Sequence, residues 1–118
     1  MAPALMRGPF YVNILMMFIL VYVTHDSLGN AKKMAEHLLS MKLIACVNYL
    51  PIEAAYWWEG AIQGGEESVS LLKTSAKNWD KLKKEIEKIH PYETPCIIKF
   101  SVEANDAYEQ WVEAESGN

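Results

Sequence analysis

AYWWEGAIQGGEESVSLLKTS, residues 55–75, decides how the chain folds. The stretch alternates apolar and polar residues on both sides of Gly64-Gly65, so it reads as a β-hairpin, with Ala55–Gln63 and Glu66–Ser75 as its strands. A Gly-Gly pair suits a two-residue loop that needs positive φ at both central positions. That loop sets Gln63 opposite Glu66, Glu59 opposite Ser70 and Trp58 opposite Leu71. Neighbouring residues of a strand point to opposite faces. One face then carries Tyr56, Trp58, Ile62, Val69 and Leu71, a core surface. The other carries Trp57, Glu59, Ala61, Ser68, Ser70 and Leu72, polar apart from one indole and one leucine. Glu59 and Lys73 fall on opposite faces and do not pair.

Outward from the hairpin the period alternates between strand and helix. Upstream, Met17–Val23 is an unbroken apolar run suited to an interior strand. Ala31, Met34, Ala35, Leu38 and Leu39 form a helical stripe that Ser27 or Asn30 would cap. Leu43–Leu50 is a further strand ending at Pro51. Downstream, Trp79, Leu82, Ile86 and Ile89 mark a helix over Ala76–Ile89, stopped at His90 because a residue before proline leaves the α region. Ile98, Phe100 and Val102 alternate as the core side of a last strand. Asn105 or Asp106 opens a C-terminal helix, with Glu109 placed for a capping box. The order is an α+β, split β-α-β, ferredoxin-like sandwich with a long β-hairpin and an extra C-terminal helix. Both long helices then lie on one sheet face, and Trp57 with Leu72 is left on the other as an interface patch unless the C-terminal helix or residues 1–16 fold over it.

Composition limits the function. At 118 residues the chain has room for one domain, and its 51% hydrophobic and 22% charged content is that of a globular protein. A net charge of −4 supplies no electrostatic footprint for nucleic acid. Lys77, Lys81, Lys83, Lys84 and Lys88, interleaved with Glu85 and Glu87, read as a solvated helix face. Cys46 and Cys96 lie far apart without a CxxC pattern, which argues against a zinc ribbon, a redox pair and a disulfide scaffold. Phe10–Val23 mimics the apolar region of a signal peptide, yet at about 14 residues it is too short to span a bilayer. No small-residue cleavage site follows it. We therefore read residues 1–16 as an extension of unassigned role, residues 17–118 as the domain, and the location as cytoplasmic, with no membrane partner. No GxSxG, P-loop, GxGxxG or HExxH pattern is present, so nothing supports an enzyme.

His90, in His-Pro-Tyr-Glu-Thr-Pro, has Glu93 three positions on, in a loop stiffened by two prolines. Imidazole and carboxylate are reasonable ligands for Cu(II) or Zn(II). The plainer reading is a histidine closing a helix C-terminus.

Leu43-Ile44-Ala45-Cys46-Val47-Asn48, Tyr56-Trp57-Trp58-Glu59-Gly60, Leu72-Lys73-Thr74, His90-Pro91-Tyr92-Glu93-Thr94-Pro95 and Tyr108-Glu109-Gln110-Trp111 occur in this order. Together they closely resemble the CutA divalent-ion tolerance family, from Met17 to the C-terminus. The resemblance implies a ferredoxin-like protomer in a homotrimer similar to PII signalling proteins. It also implies a part in copper and other divalent-cation tolerance, with Cu(II) or another divalent cation bound. The copper site proposed in that family uses a cysteine at the end of the first strand and a His-His pair before Pro-Tyr. Here those positions hold Val23 and Ile89, and only His90 matches, so Glu93 or Cys46 would have to stand in. Trp57, Glu59, Leu72, Lys73 and Tyr92 are the expected intersubunit residues. The alternative is a PII-like sensor or scaffold holding a small anionic ligand or protein partner between subunits through Lys73 or Tyr92.

Overall fold

The computed structural model describes residues 18–117. The extension over residues 1–16 lies outside them. Along the chain come β1 (Phe18–His25), α1 (Leu28–Ser40), β2 (Cys46–Trp58), β3 (Ala61–Ser75), α2 (Trp79–Ile89), β4 (Ile97–Val102) and α3 (Asp106–Ser116). The sheet order is β2-β3-β1-β4, with every adjacent pair antiparallel. Two interleaved β-α-β crossovers produce that order, as expected for the ferredoxin-like plan.

The two helical stripes meet one face of the sheet. Ile19, Val21 and Val23 of β1 and Leu72 of β3 pack with Met34, Ala35 and Leu38 of α1 and Leu82 and Ile86 of α2. Each such aliphatic side chain contributes about 1.5–3 kcal/mol by leaving water. Ser27 caps α1, its Oγ accepting from the Asn30 N–H at 3.1 Å. The segment Ala76–Asn78 is a 3₁₀ turn, so α2 starts at Trp79 and not at Ala76. It ends at His90, whose ψ of 135° is extended, as Pro91 requires. Asn105 is the N-cap of α3, and the Glu109 carboxylate reaches back to accept from the Ala104 N–H at 2.8 Å.

The hairpin corrects the sequence reading. Its turn is Glu59-Gly60, with φ of 50° and 80°, and Trp58 pairs with Ala61. Gly64-Gly65 lies within β3, opposite Ala55 and Ala54. A Cβ on Gly64 would sit 2.6 Å from the Ala54 carbonyl oxygen, so glycine serves close backbone approach there. What reads as two strands, Leu43–Leu50 and Ala55–Gln63, is the single β2, which runs through Pro51. As an edge strand, β2 tolerates a residue without an N–H.

Moving the turn shifts the register by an even number of residues, so Trp58 still shares a face with Leu71 and Trp57 with Leu72, but the helices cover the Leu72 face and not the Trp58 face. Leu72, expected on the open side, is 1% exposed in the core beside Val21 and Val47. Trp58, expected in the core, is 42% exposed on the helix-free face. Trp57 is on the helix side of the sheet but beyond the helices, and is 71% exposed. On β4, Ile98 and Phe100 also face away from the helices and are exposed, while Ile97 packs on the core. The helix-free face thus presents Leu50, Tyr56, Trp58, Ile98 and Phe100. Its Phe18 end is covered by α3, which sets Tyr108 edge-on to Phe18 at 6.1 Å and Ser116 Oγ to accept from the Ser75 N–H at 3.0 Å. At the other end Val69 is buried near the loop that carries Tyr92.

Candidate functional site

Pro91 turns the chain back over the end of β1, and this seats His90 against that strand. The buried imidazole donates from Nε2 to the Thr24 carbonyl at 2.8 Å. Its Nδ1 accepts from the Tyr92 N–H at 3.1 Å. A neutral imidazole has one donor and one acceptor, so both are used and no lone pair is left for a metal. The ring stacks on His25 at 5.4 Å and meets Tyr92 edge-on at 4.6 Å. His25, hydrogen-bonded to Ser70 Oγ at 2.8 Å, is held down to a pKa of about 4 by burial and by His90, against the pull of Asp26. Burial, then Glu67, Asp26 and Tyr56, push the Tyr92 hydroxyl up to about 12.

The expected ligand trio does not come together within the chain. Cys46 lies level with Lys73 and Leu20, whereas His90 contacts Thr24. Four strand residues separate those levels, about 13 Å along the sheet. Cys46 instead meets Tyr108 Oη and Lys73 Nζ, each at 3.7 Å. Val23 is fully buried and Ile89 packs on the core, so neither position supplies a donor. Among the described residues no three His, Cys, Asp or Glu side chains group to hold a metal ion. A closed metal centre built on His90, Glu93 and Cys46 of one chain does not fit.

Two concavities flank the base of the hairpin instead. A groove of about 530 Å³ runs between the start of α1 and the β2–β3 ladder, lined by Asp26, Glu53, Glu66 and Glu67 among others. Glu53 stands directly opposite Glu66 across the ladder. Like charges in that position repel. On the helix-free face, a cavity of about 660 Å³ is lined by Tyr22, Thr24, Ala54, Tyr56, Trp58, Glu67, Tyr92, Glu93 and Cys96, among others. Burial and Glu67 push the Cys96 thiol up.

Of the expected intersubunit residues, Trp57 and Glu59 sit at the hairpin tip, Leu72 in the core and Tyr92 in the cavity. Lys73 is at the far end, donating to Asn48 Oδ1 at 2.5 Å and 5.5 Å from the Tyr108 ring centroid. Lys73 and Tyr92 therefore share no cleft within one chain, and no Lys or Arg lines this cavity. Nothing in the local sequence marks Glu53, Glu66, Glu67 and Tyr22 as site residues. A turn placed at Glu59-Gly60 would have shown Glu53 facing Glu66.

The family model for the CutA1 divalent ion tolerance protein matches residues 19–115. The chain belongs to that family. It is 39% identical over 99 residues to the divalent-cation tolerance protein CutA of Pyrococcus horikoshii, covering 83% of this chain and 97% of that one. A solved structure titled as the periplasmic divalent cation tolerance protein CutA from Archaeoglobus fulgidus aligns with a TM-score of 0.81 at 34% identity, covering 85% of this chain and 99% of that one. The PII-like protein CutA from Nostoc sp. PCC 7120, in apo form, aligns at 0.78 with 25% identity, over 83% and 96% of the two chains. Family membership ties the chain to divalent-cation tolerance, and its fold to the ferredoxin-like, PII-like class.

Proposed function

We propose that the protein acts in divalent-cation tolerance in the cytoplasm as a homotrimer that binds cations weakly along its carboxylate groove, without catalysing a reaction. The observation that carries this reading is Glu53 facing Glu66 across the ladder, a pair of carboxylates in a groove also lined by Asp26 and Glu67, with no third side chain among the described residues grouped to complete a site. A divalent cation relieves that repulsion, and oxygen donors suit hard cations. Water or a neighbouring copy completes the coordination. The apolar helix-free face supplies the contact between copies. The names of the relatives support the tolerance role, and two free cysteines suit a reducing compartment.

The test is calorimetric titration of the full chain with Ca(II), Mn(II), Zn(II) and Cu(II), beside sedimentation. The expected result is a trimer with saturable, weak binding that Glu66→Gln reduces and His90→Ala leaves unchanged. A stable monomer at micromolar concentration overturns the assembly, and isotherms indifferent to Glu66→Gln overturn the groove.

A further inference from the structure

Away from the groove, the fold brings one thiol and one amine into contact. Cys46 opens β2 and pairs directly with Lys73 of β3, so the two side chains leave the same face of the sheet side by side. Lys73 Nζ lies 3.7 Å from Cys46 Sγ, donates to Asn48 Oδ1, and sits 5.5 Å from the Tyr108 ring centroid. Tyr108 Oη donates to the same sulfur at 3.7 Å, and its ring stacks on Trp111 at 5.7 Å. Two donors, one of them an ammonium, thus converge on one sulfur, and negative charge that develops there during a reaction is met by both. This corner of the sheet is roofed by α3 of the same chain. None of Leu50, Tyr56, Trp58, Ile98 and Phe100, the residues left bare for contact between copies, belongs to it.

Cys96 has the opposite setting. Burial and Glu67 push its thiol up, and no Lys or Arg lines the cavity around it. A carboxylate opposes charge on sulfur where an ammonium supports it. We propose that Cys46 and Lys73 form a reversible sulfur–nitrogen cross-link, a sulfenamide, when the protein meets hydrogen peroxide. The Cys46 thiolate, its proton lost to water, attacks one peroxide oxygen. The O–O bond breaks, Cys46 becomes a sulfenic acid, and hydroxide leaves. Hydroxide takes a proton from the Lys73 ammonium and becomes water. The freed amine then attacks the sulfur: the S–N bond forms, the S–O bond breaks, and the departing hydroxyl carries off an amine proton as a second water. Sulfur is oxidised by two electrons and the peroxide is reduced to water. A small thiol reverses the link by attacking the sulfur, which frees the Lys73 amine and leaves a mixed disulfide that a second thiol reduces. The cross-link ties the edge strand β2 to β3 across a separation of 27 residues and closes the hairpin into a covalent loop.

None of the groove carboxylates takes part, so the cross-link does not rest on the metal reading. The test treats the full chain with excess hydrogen peroxide near neutral pH, followed by intact mass and by peptide mapping after tryptic digestion without reductant. The expected product has lost two hydrogen atoms and joins the peptide holding Cys46 to the one holding Lys73, with no cleavage after Lys73. Dithiothreitol should restore the starting mass and both peptides. Cys46 should react about tenfold faster than Cys96. Lys73→Arg keeps the positive charge but supplies no free amine, so Cys46 should stop at a sulfenic acid that dimedone traps. Tyr108→Phe keeps the ring beside Lys73 and removes one donor, and should slow cross-linking about threefold. Cys46→Ser, nearly isosteric, should abolish the link and carries the test if Lys73→Arg does not fold. A linked product in Lys73→Arg or Cys46→Ser, a loss of two hydrogens that maps to a disulfide, faster oxidation of Cys96, or Cys46 unchanged under excess peroxide each overturns the proposal.

Discussion

The two faces of the one sheet are made from alternate residues of the same strands, yet they end in different states. On the helix side, Ile19, Val21, Val23 and Leu72 are at most 1% exposed beneath α1 and α2. On the other side, Leu50, Ile98 and Phe100 remain 44–48% exposed, with α3 over one end and the Tyr92 loop beside the other. Residue type does not distinguish the faces, since both are rich in aliphatic and aromatic side chains. The number of helices available does. Two amphipathic helices cover one face of a four-stranded sheet, and the other face must be covered from outside the chain or stay wet.

The largest expected effect tests the closed face. Leu72→Ala should lower unfolding free energy by about 2–5 kcal/mol, measured by chemical denaturation, and the loss should not depend on protein concentration. An unchanged midpoint would place Leu72 outside the core. Phe100→Asp should act on the other face in the opposite manner. It should disperse the assembly, seen as a fall in sedimenting mass, at a cost of about 2–4 kcal/mol in association while the protomer core persists. A variant that keeps its mass would remove that face from the interface.

A smaller effect belongs to the histidine at the end of β1, whose ring is buried beside Ser70 and His90. His25 has a folded pKa of about 4, below its ordinary 6.5. Between those values the unfolded chain binds more protons than the folded one, so stability falls as pH drops through that window and levels off below it. The loss should be on the order of 2 kcal/mol between pH 7 and pH 4. His25→Gln should flatten this part of a pH series of melting curves, and an unaltered slope would assign the loss to other groups.

The hairpin gives the smallest effects. Gly60→Ala, at φ of 80°, should cost about 1 kcal/mol, because positive φ penalises a β-carbon. Gly64→Ala should cost more, about 1–3 kcal/mol, since its Cβ meets the Ala54 backbone and cannot be relieved by a side-chain rotation. The reverse order in thermal melts would return the turn to Gly64-Gly65.

Much of the fold is legible residue by residue. Ser27, the stripe through Ala31, Met34, Ala35 and Leu38, the stop at His90 before Pro91, and the start of α3 near Asn105 all announce themselves locally. The hairpin also announces itself, but Gly-Gly is a stronger turn signal than Glu-Gly, because glutamate seldom adopts positive φ. The Gly-Gly signal shifts the register by ten in pairing sum, which keeps the face groupings, and the inversion of Trp58 and Leu72 comes from taking the more aromatic face as the one the helices cover. The candidate site suffered most. His90 was identified, but its use by the Thr24 carbonyl and the Tyr92 N–H depends on a contact between segments distant in sequence. Glu53 and Glu66 became neighbours only once the turn was known.

By itself, the sequence determined the elements, their order and the ferredoxin-like plan, because periodicity, capping and proline act over a few residues. Its motifs also carried the family. Tertiary structure decided which face each strand residue takes, the separation of Cys46 from His90, the groove and the cavity. The first depends on which side of the sheet the helices pack, and the others on pairing register, which belongs to two strands at once.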